Sequence, residues 1–188
     1  EWAIAIHGGA GVIAKEDHAD RAPEYEAALA DALRAGADVL ESGGDALDAV
    51  VATVTRLEDD PKFNAGRGAV FSNAGRNELD AAIMDGSTLG CGAVTGVTTV
   101  RHPILLARKV MEESRHVFFS ADGAERFADR FPELERVDPS WFATPRRREA
   151  LERALASEAT KDLDTVGAVA LDVHGRLAAA TSTGGLTN

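Results

Sequence analysis

The chain has 188 residues, with 20 lysines and arginines against 31 aspartates and glutamates, a net charge of −11 and a pI near 4.9, which excludes a basic nucleic-acid surface as the default. A content of 45% hydrophobic and 27% charged residues excludes the disordered class, and this length suits one domain that buries about 70% of its unfolded surface. The single cysteine, Cys91, excludes an intrachain disulfide, and with no basic n-region and no apolar run approaching ~20 residues the expectation is a cytoplasmic protein with neither a membrane nor a nucleic-acid partner.

Trp2, Ile4 and Ile6 alternate with smaller residues and predict a short strand, which glycines 8, 9 and 11 end in a loop. A helix is expected from about Pro23 to Ser42, where Tyr25, Leu29, Ala32, Leu33, Val39 and Leu40 form a 3.6-period stripe, and Gly43-Gly44 stops it. Asp45 is placed to cap a second helix carrying Leu47, Val50, Val51, Val54 and Leu57, closed by Pro61. Small and β-branched residues then predict strands at Ala69–Ser72, Leu79–Met84 and Gly92–Val100. Pro103–Ser114 reads as helix, His116–Ser120 as extended, Ala121–Phe131 as helix, and Arg146–Ala159 as a charged helix with Leu151 and Leu155 inward. Ser157–Asp164 has no apolar period and is expected to be an exposed linker. Two apolar strands follow, Val166–Val173 and Leu177–Thr183, joined through His174-Gly175 at hairpin spacing.

This order of elements predicts an α+β, layered αββα domain. A hairpin so apolar on both faces belongs in the middle of a sheet, covered on each side. The folding unit is therefore expected to extend past Asn188.

The familiar hydrolytic signatures are weak. Five histidines occur, at 7, 18, 102, 116 and 174, but none lies in a Gly-x-Ser-x-Gly elbow, and neither His-Glu-x-x-His nor paired Cys-x-x-Cys is present. His7, between a strand and glycines, is expected to bond loop backbone. Gly9-Ala10-Gly11-Val12-Ile13-Ala14 fits the spacing of the dinucleotide fingerprint and follows a strand. That fingerprint requires a helix opening within the motif and then a second strand with an acidic residue. Here the charged segment Lys15–Arg21 and two consecutive helices are expected instead.

Asp164-Thr165-Val166-Gly167 offers a more specific arrangement, because Thr165 stands at the junction of linker and hairpin. Alone it could be a β-branched strand starter. The paired strand, however, ends in Thr181-Ser182-Thr183-Gly184-Gly185, and a hairpin brings those hydroxyls back beside Thr165.

Taken together, His7-Gly8-Gly9-Ala10-Gly11, Phe63-Asn64-Ala65-Gly66, Leu79-Asp80-Ala81, Met84-Asp85-Gly86, Thr165-Val166-Gly167-Ala168-Val169 and Ala180-Thr181-Ser182-Thr183-Gly184-Gly185 resemble the plant-type (type III) L-asparaginases, or isoaspartyl peptidases, over essentially the whole chain. These are N-terminal-nucleophile hydrolases with an αββα sandwich. The resemblance implies a precursor that cuts itself between Asp164 and Thr165, with residues 1–164 as an α-subunit region, flexible at about 157–164, and 165–188 as the start of a β subunit. Two such αβ units would pair into a dimer. A free α-amino group, with a pKa of about 7.7–8.0, can accept a proton near neutrality, so one residue would supply both nucleophile and base.

By matching positions, Thr165 resembles the nucleophile, Thr183 the hydroxyl that tunes it, and Asn64 the asparagine near the nucleophile's amine. Read on its own, Asn64 is a turn residue before Ala65-Gly66. Gly9, Gly184 and Gly185 are implied to lend backbone near the substrate. Leu57, Glu58, Asp60, Phe63, Ala65 and Arg67 match a sodium-binding loop that works mainly through backbone carbonyls; the plainer reading of Glu58-Asp59-Asp60 is a solvated helix end. No cofactor is implied for catalysis. The family's carboxylate- and amine-clamping residues, and a Thr-Gly pair of its oxyanion hole, would come after Asn188. The expected substrates are L-asparagine and β-aspartyl dipeptides. A glycosylasparaginase-like amidase and an inert precursor or fragment are the alternatives.

Overall fold

The computed structural model describes residues 1–9, 15–156 and 165–187, with side chains described from residue 21 onward in the first helix. One six-stranded sheet carries the helices. Its strands are β1 (Ala3–His7), β2 (Leu79–Asp85), β3 (Cys91–Val97), β4 (Phe118–Ser120), β5 (Val166–Leu171) and β6 (Leu177–Thr183). The spatial order is β1-β5-β6-β2-β3-β4, antiparallel throughout except for the parallel β3–β4 pair. The late hairpin thus lies in the middle of the sheet, between strands from the first half of the chain.

Three helices, α1 (Lys15–Glu41), α2 (Ala46–Asp59) and α3 (Pro103–Glu113), cover one face of this sheet. Ile4, Ile6, Ala168, Ala170, Ala178, Ala180, Ile83 and Val94 point toward them in register. Alanines along β5 and β6 keep this face low, so α2 seats its fully buried Val50, Val54 and Leu57 directly on the hairpin. Gly92 serves α3 in the same way, since a Cβ there would meet the Met111 nitrogen at 2.6 Å. The short helix α4 (Ala121–Ala128) joins this layer at the β3–β4 edge, Phe127 stacking on Phe119 at 4.7 Å, and α5 (Pro145–Ala156) follows it in the chain.

The opposite face is open among the described residues. Val169, Leu177, Met84 and Phe118 are 46%, 52%, 41% and 53% exposed, with Ala179 and Ala82 between them. The hairpin is central, as its composition predicts, and the described residues cover one side of it.

A three-residue loop, Val173-His174-Gly175, closes the hairpin, with Gly175 at φ 78° and Asp172 and Arg176 bonded across its base. Asp172 ties this loop to α2: its buried carboxylate accepts the N–H groups of Ala46, His174 and Arg176 and the Arg176 guanidinium. Burial alone would push that carboxyl up. The backbone donors at Arg176, Ala46 and His174 and the Arg176 side chain overcome it and hold the group at about 2.

Several sequence expectations need correction. Helix α1 begins at Lys15, so the charged stretch 15–21 is helical and runs through Pro23 at the loss of one i→i−4 bond. The dinucleotide reading nonetheless fails, because β1 pairs antiparallel with β5 instead of entering a parallel βαβ unit. Ala69–Ser72 is not a strand: the Asn77 amide takes the carbonyls of Ala69 and Val70 as a neighbouring strand would, and Ser72 turns back onto Arg76. Leu155 is 56% exposed, since α5 buries Arg147 and Leu151. The expected linker at 157–164, including Asp164, lies outside the described residues, as do positions 10–14 of the glycine-rich loop.

Candidate active site

The β5–β6 register pairs Val166 with Ser182, which sets Thr165 opposite Thr183. Their hydroxyls meet, Thr165 Oγ1 donating to Thr183 Oγ1 at 3.2 Å. Thr183 Oγ1 also accepts the Gly185 N–H at 3.1 Å. Strand alternation turns both threonines away from the helices, toward the open face. Asp80 on β2 is paired with Thr183, and its carboxylate is held by the Thr95 hydroxyl at 2.5 Å and the Gly96 N–H at 3.0 Å. Leu79-Asp80-Ala81 is one of the motifs that carry the resemblance, but the sequence assigns Asp80 no role; the β2–β6 register is what places it there.

Asn64 joins this group from the loop after α2. Its amide nitrogen donates to the Gly185 carbonyl at 2.8 Å, its side-chain oxygen accepts the Val70 N–H at 2.8 Å, and its own carbonyl accepts the Gly184 N–H at 3.2 Å. The residue is fully buried. The reading of Asn64 as a plain turn residue is therefore incomplete: it is a buried clasp between the 63–70 loop and the end of β6. Gly184 is required by this closeness, as a Cβ there would lie 2.6 Å from the Ala69 Cβ and 2.7 Å from the Asn64 side-chain oxygen. Gly185 has φ 77°, a conformation that favours glycine.

Gly9, with φ 131°, follows Gly8, whose missing side chain makes room for Phe63: a Cβ on Gly8 would sit 2.6 Å from that ring. The His-Gly-Gly loop therefore lies beside Phe63-Asn64. Among the described residues no hydrogen bond joins Gly9 to either threonine. His7 is paired with Gly167 and exposed on the open face, with Nε2 at 2.5 Å from where a Gly167 Cβ would stand.

Loop 57–67 closes on itself. The Glu58 carbonyl accepts the Arg67 N–H at 2.7 Å, the Asp60 carbonyl accepts the Phe63 N–H at 3.2 Å, and Gly66, at φ 48°, fits against Glu58. The natural helical partner of the Leu57 carbonyl is position 61, a proline with no N–H to give. The side chains of the loop are engaged elsewhere. Leu57, Phe63 and Ala65 are buried in the core, Asp60 pairs with Lys62, and Arg67 stacks over Trp141 at 5.6 Å. Backbone oxygens are what this loop has to offer a hard cation, and a cation of that type prefers oxygen. Among the described residues no three His, Cys, Asp or Glu side chains are grouped to hold a metal.

Glu58 departs most from expectation. It is no solvated helix end: its side chain is fully buried, and Oε1 accepts both the Ser182 hydroxyl at 2.7 Å and the Ile104 N–H at 3.0 Å. Oε2 has no hydrogen-bond partner among the described residues. Burial pushes this carboxyl up to about 8 against the lowering pull of the two bonds, so near neutrality the group is largely protonated.

The chain is similar to curated proteins over nearly all of its length. The chain is 49% identical over 199 aligned residues to an isoaspartyl peptidase of Salmonella typhimurium, 48% over 198 residues to an isoaspartyl peptidase of Escherichia coli, and 43% over 192 residues to a human isoaspartyl peptidase/L-asparaginase. Each alignment takes in 98% of this chain and 63%, 61% and 61% of those relatives. The chain thus spans about three fifths of the length of the curated relatives it matches. With the paired threonines, the buried asparagine and the glycine-rich approaches all on one continuous match covering residues 1–188, the chain belongs to the asparaginase family.

Proposed function

We propose that this chain is part of a self-processing N-terminal-threonine amidohydrolase acting on L-asparagine and β-aspartyl dipeptides. The observation that carries the reading is the meeting of the Thr165 and Thr183 hydroxyls at 3.2 Å, beside the Asn64–Gly185 clasp. The names of the relatives agree with it.

In the precursor, the Thr165 hydroxyl oxygen attacks the Asp164 carbonyl carbon, the C–N bond breaks, and the hydroxyl proton passes to the departing nitrogen. Water then hydrolyses the resulting ester, leaving a carboxylate on Asp164 and a free hydroxyl and α-amine on Thr165. That amine, with a pKa of about 7.7–8.0, takes the hydroxyl proton in each later turnover. The nucleophile adds to the substrate's side-chain carbonyl and ammonia or an amino-acid amine leaves. Water releases aspartate from the ester. Thr183 steadies the nucleophile's oxygen, Asn64 fixes the glycine turn beside it, and Gly9, Gly184 and Gly185 let backbone approach the substrate.

Residues 1–164 and the segment from Thr165 would remain together as α and β subunits, since β5 and β6 lie between β1 and β2. The open apolar face of β5, β6 and β2 supports a second sheet stacked on it, completing an αββα sandwich, and a dimer of two αβ units. Carbonyls of Leu57, Glu58, Asp60, Phe63, Ala65 and Arg67 would hold sodium, a structural ion that stiffens the loop carrying Asn64. The proposed compartment is the cytoplasm.

Intact-mass analysis and N-terminal sequencing of the full-length protein test this. The expected result is a new amino terminus at Thr165, with Thr165→Ala giving one uncut chain that releases no ammonia from L-asparagine. Cleavage of that variant at the same bond, or full activity of an uncut chain, overturns the mechanism.

A further inference from the structure

Ser182 lies between two residues that face the other way. Thr181 and Thr183 point to the open face, whereas Ser182 points into the helical layer, opposite Val166 and next to Ala81 in register. There its hydroxyl donates to Glu58 Oε1 at 2.7 Å. The same oxygen accepts the N–H of Ile104 in the first turn of α3. One carboxyl therefore joins the end of α2, the start of α3 and Ser182 near the C-terminal end of β6, all within a fully buried setting. Thr183 is the next residue along.

We propose that Glu58 is a positioning residue for the threonine pair: through Ser182 it pins the end of β6 from beneath, and so fixes the Thr183 hydroxyl against Thr165. This rests on the amidohydrolase reading above and assigns Glu58 a side-chain task separate from the loop carbonyls. The Asn64 clasp holds Gly184 and Gly185 just beyond β6, and the strand's reverse face is left to be fixed separately. A hydrogen bond from the side chain on the reverse face does so at the residue adjoining the site. Small displacements matter there, because misplacement of a reacting group by about 1 Å costs on the order of a hundredfold in rate.

The two bonds to Oε1 also say which substitutions should be tolerated. Glutamine keeps an oxygen acceptor for both Ser182 and Ile104, so Glu58→Gln should restore most of what Glu58→Leu loses. Ser182→Ala removes the donor while leaving the Ile104 bond intact. The test is steady-state kinetics of the full-length protein on a β-aspartyl dipeptide, with active sites counted as amino-terminal threonines. Ser182→Ala is expected to lower kcat per counted site about tenfold with KM changed less than about twofold. Glu58→Leu should fall comparably, and the double variant little further, since both cut one connection. If Ser182→Ala keeps kcat per site within twofold, or if Glu58→Gln loses as much as Glu58→Leu, the positioning role is wrong. Should Glu58→Leu fail to fold, Ser182→Ala and Glu58→Gln decide the question. Thr165→Ala serves as the separate control: hydrolysis of the dipeptide by that variant would refute the threonine mechanism itself, whatever the Ser182 result.

Discussion

Replacing Asn64 with alanine removes a side chain that satisfies two backbone groups at once. The Val70 N–H, now bonded to Asn64 at 2.8 Å, lies in a buried segment. Leaving such a donor unpaired costs roughly 1–3 kcal/mol. The Gly185 carbonyl at 2.8 Å is half-buried and can recruit water, so its loss adds less. With the small void left by the amide, the total comes to about 2–4 kcal/mol. At ~2–4 °C per kcal/mol for a protein of this size, the melting temperature should fall by roughly 5–15 °C. The measurement is best made in a Thr165→Ala background, where unfolding concerns one chain whichever way the parent is processed. Asn64→Asp sharpens the test: aspartate can still accept from Val70 but, when ionised, presents a charge to the Gly185 carbonyl it should donate to. Its folded-state pKa should therefore rise, and its deficit should shrink as the pH is lowered and the group protonates. A melting temperature for Asn64→Ala within 2 °C of the background would refute the clasp.

Thr183→Ala should lower kcat by about tenfold or more, the loss of one hydrogen bond to the nucleophile, while KM changes little; equal kinetics would remove Thr183 from the site. Exchange of sodium for choline should lower the melting temperature, because an ion bound only by the folded state stabilises it by mass action; a flat sodium titration would count against the 57–67 loop. Asp172 has its folded pKa depressed to about 2. Its stabilisation is therefore present above the unfolded value of about 3.9 and is lost as the pH falls toward 2, at most about 2.6 kcal/mol. The gap in melting temperature between parent and Asp172→Asn should accordingly be widest above pH 4 and close toward pH 2; a gap independent of pH would dissociate Asp172 from this role.

The hairpin and the threonine junction were legible because period-2 patterning and hydroxyl placement are local properties. Leu177–Thr183 matches its strand, and central placement followed from its apolar composition. What escaped depends on partners distant in the chain. Glu58 among three acidic residues carries no mark of burial until Ser182, 124 residues later, and the α3 amide arrive to receive it. Arg147, one of three consecutive arginines, is buried because the Gly68 carbonyl accepts its Nε–H at 2.7 Å. Ala69–Ser72 has the composition of a strand, yet a single asparagine side chain supplies the bonds a neighbouring strand would have made. Asp80 and Thr183 face each other only through a register that no motif states.

The interleaved strand order has a consequence for the timing of biogenesis. Until residues 166–183 emerge from synthesis, β1 has no sheet neighbour and β2 keeps one edge bare, so the nascent sheet is two separate pieces with a two-strand gap. Bare edges of this kind invite pairing with other chains, and closing the gap demands contacts of long sequence separation, which makes folding slow. The same insertion that seals the sheet also sets Thr165 against Thr183 and brings Gly184 and Gly185 to Asn64. Under the self-processing mechanism proposed above, maturation would thereby be ordered: a chain whose sheet has not closed lacks the geometry to cut itself, and the appearance of a threonine amino terminus would act as a clock for completed assembly.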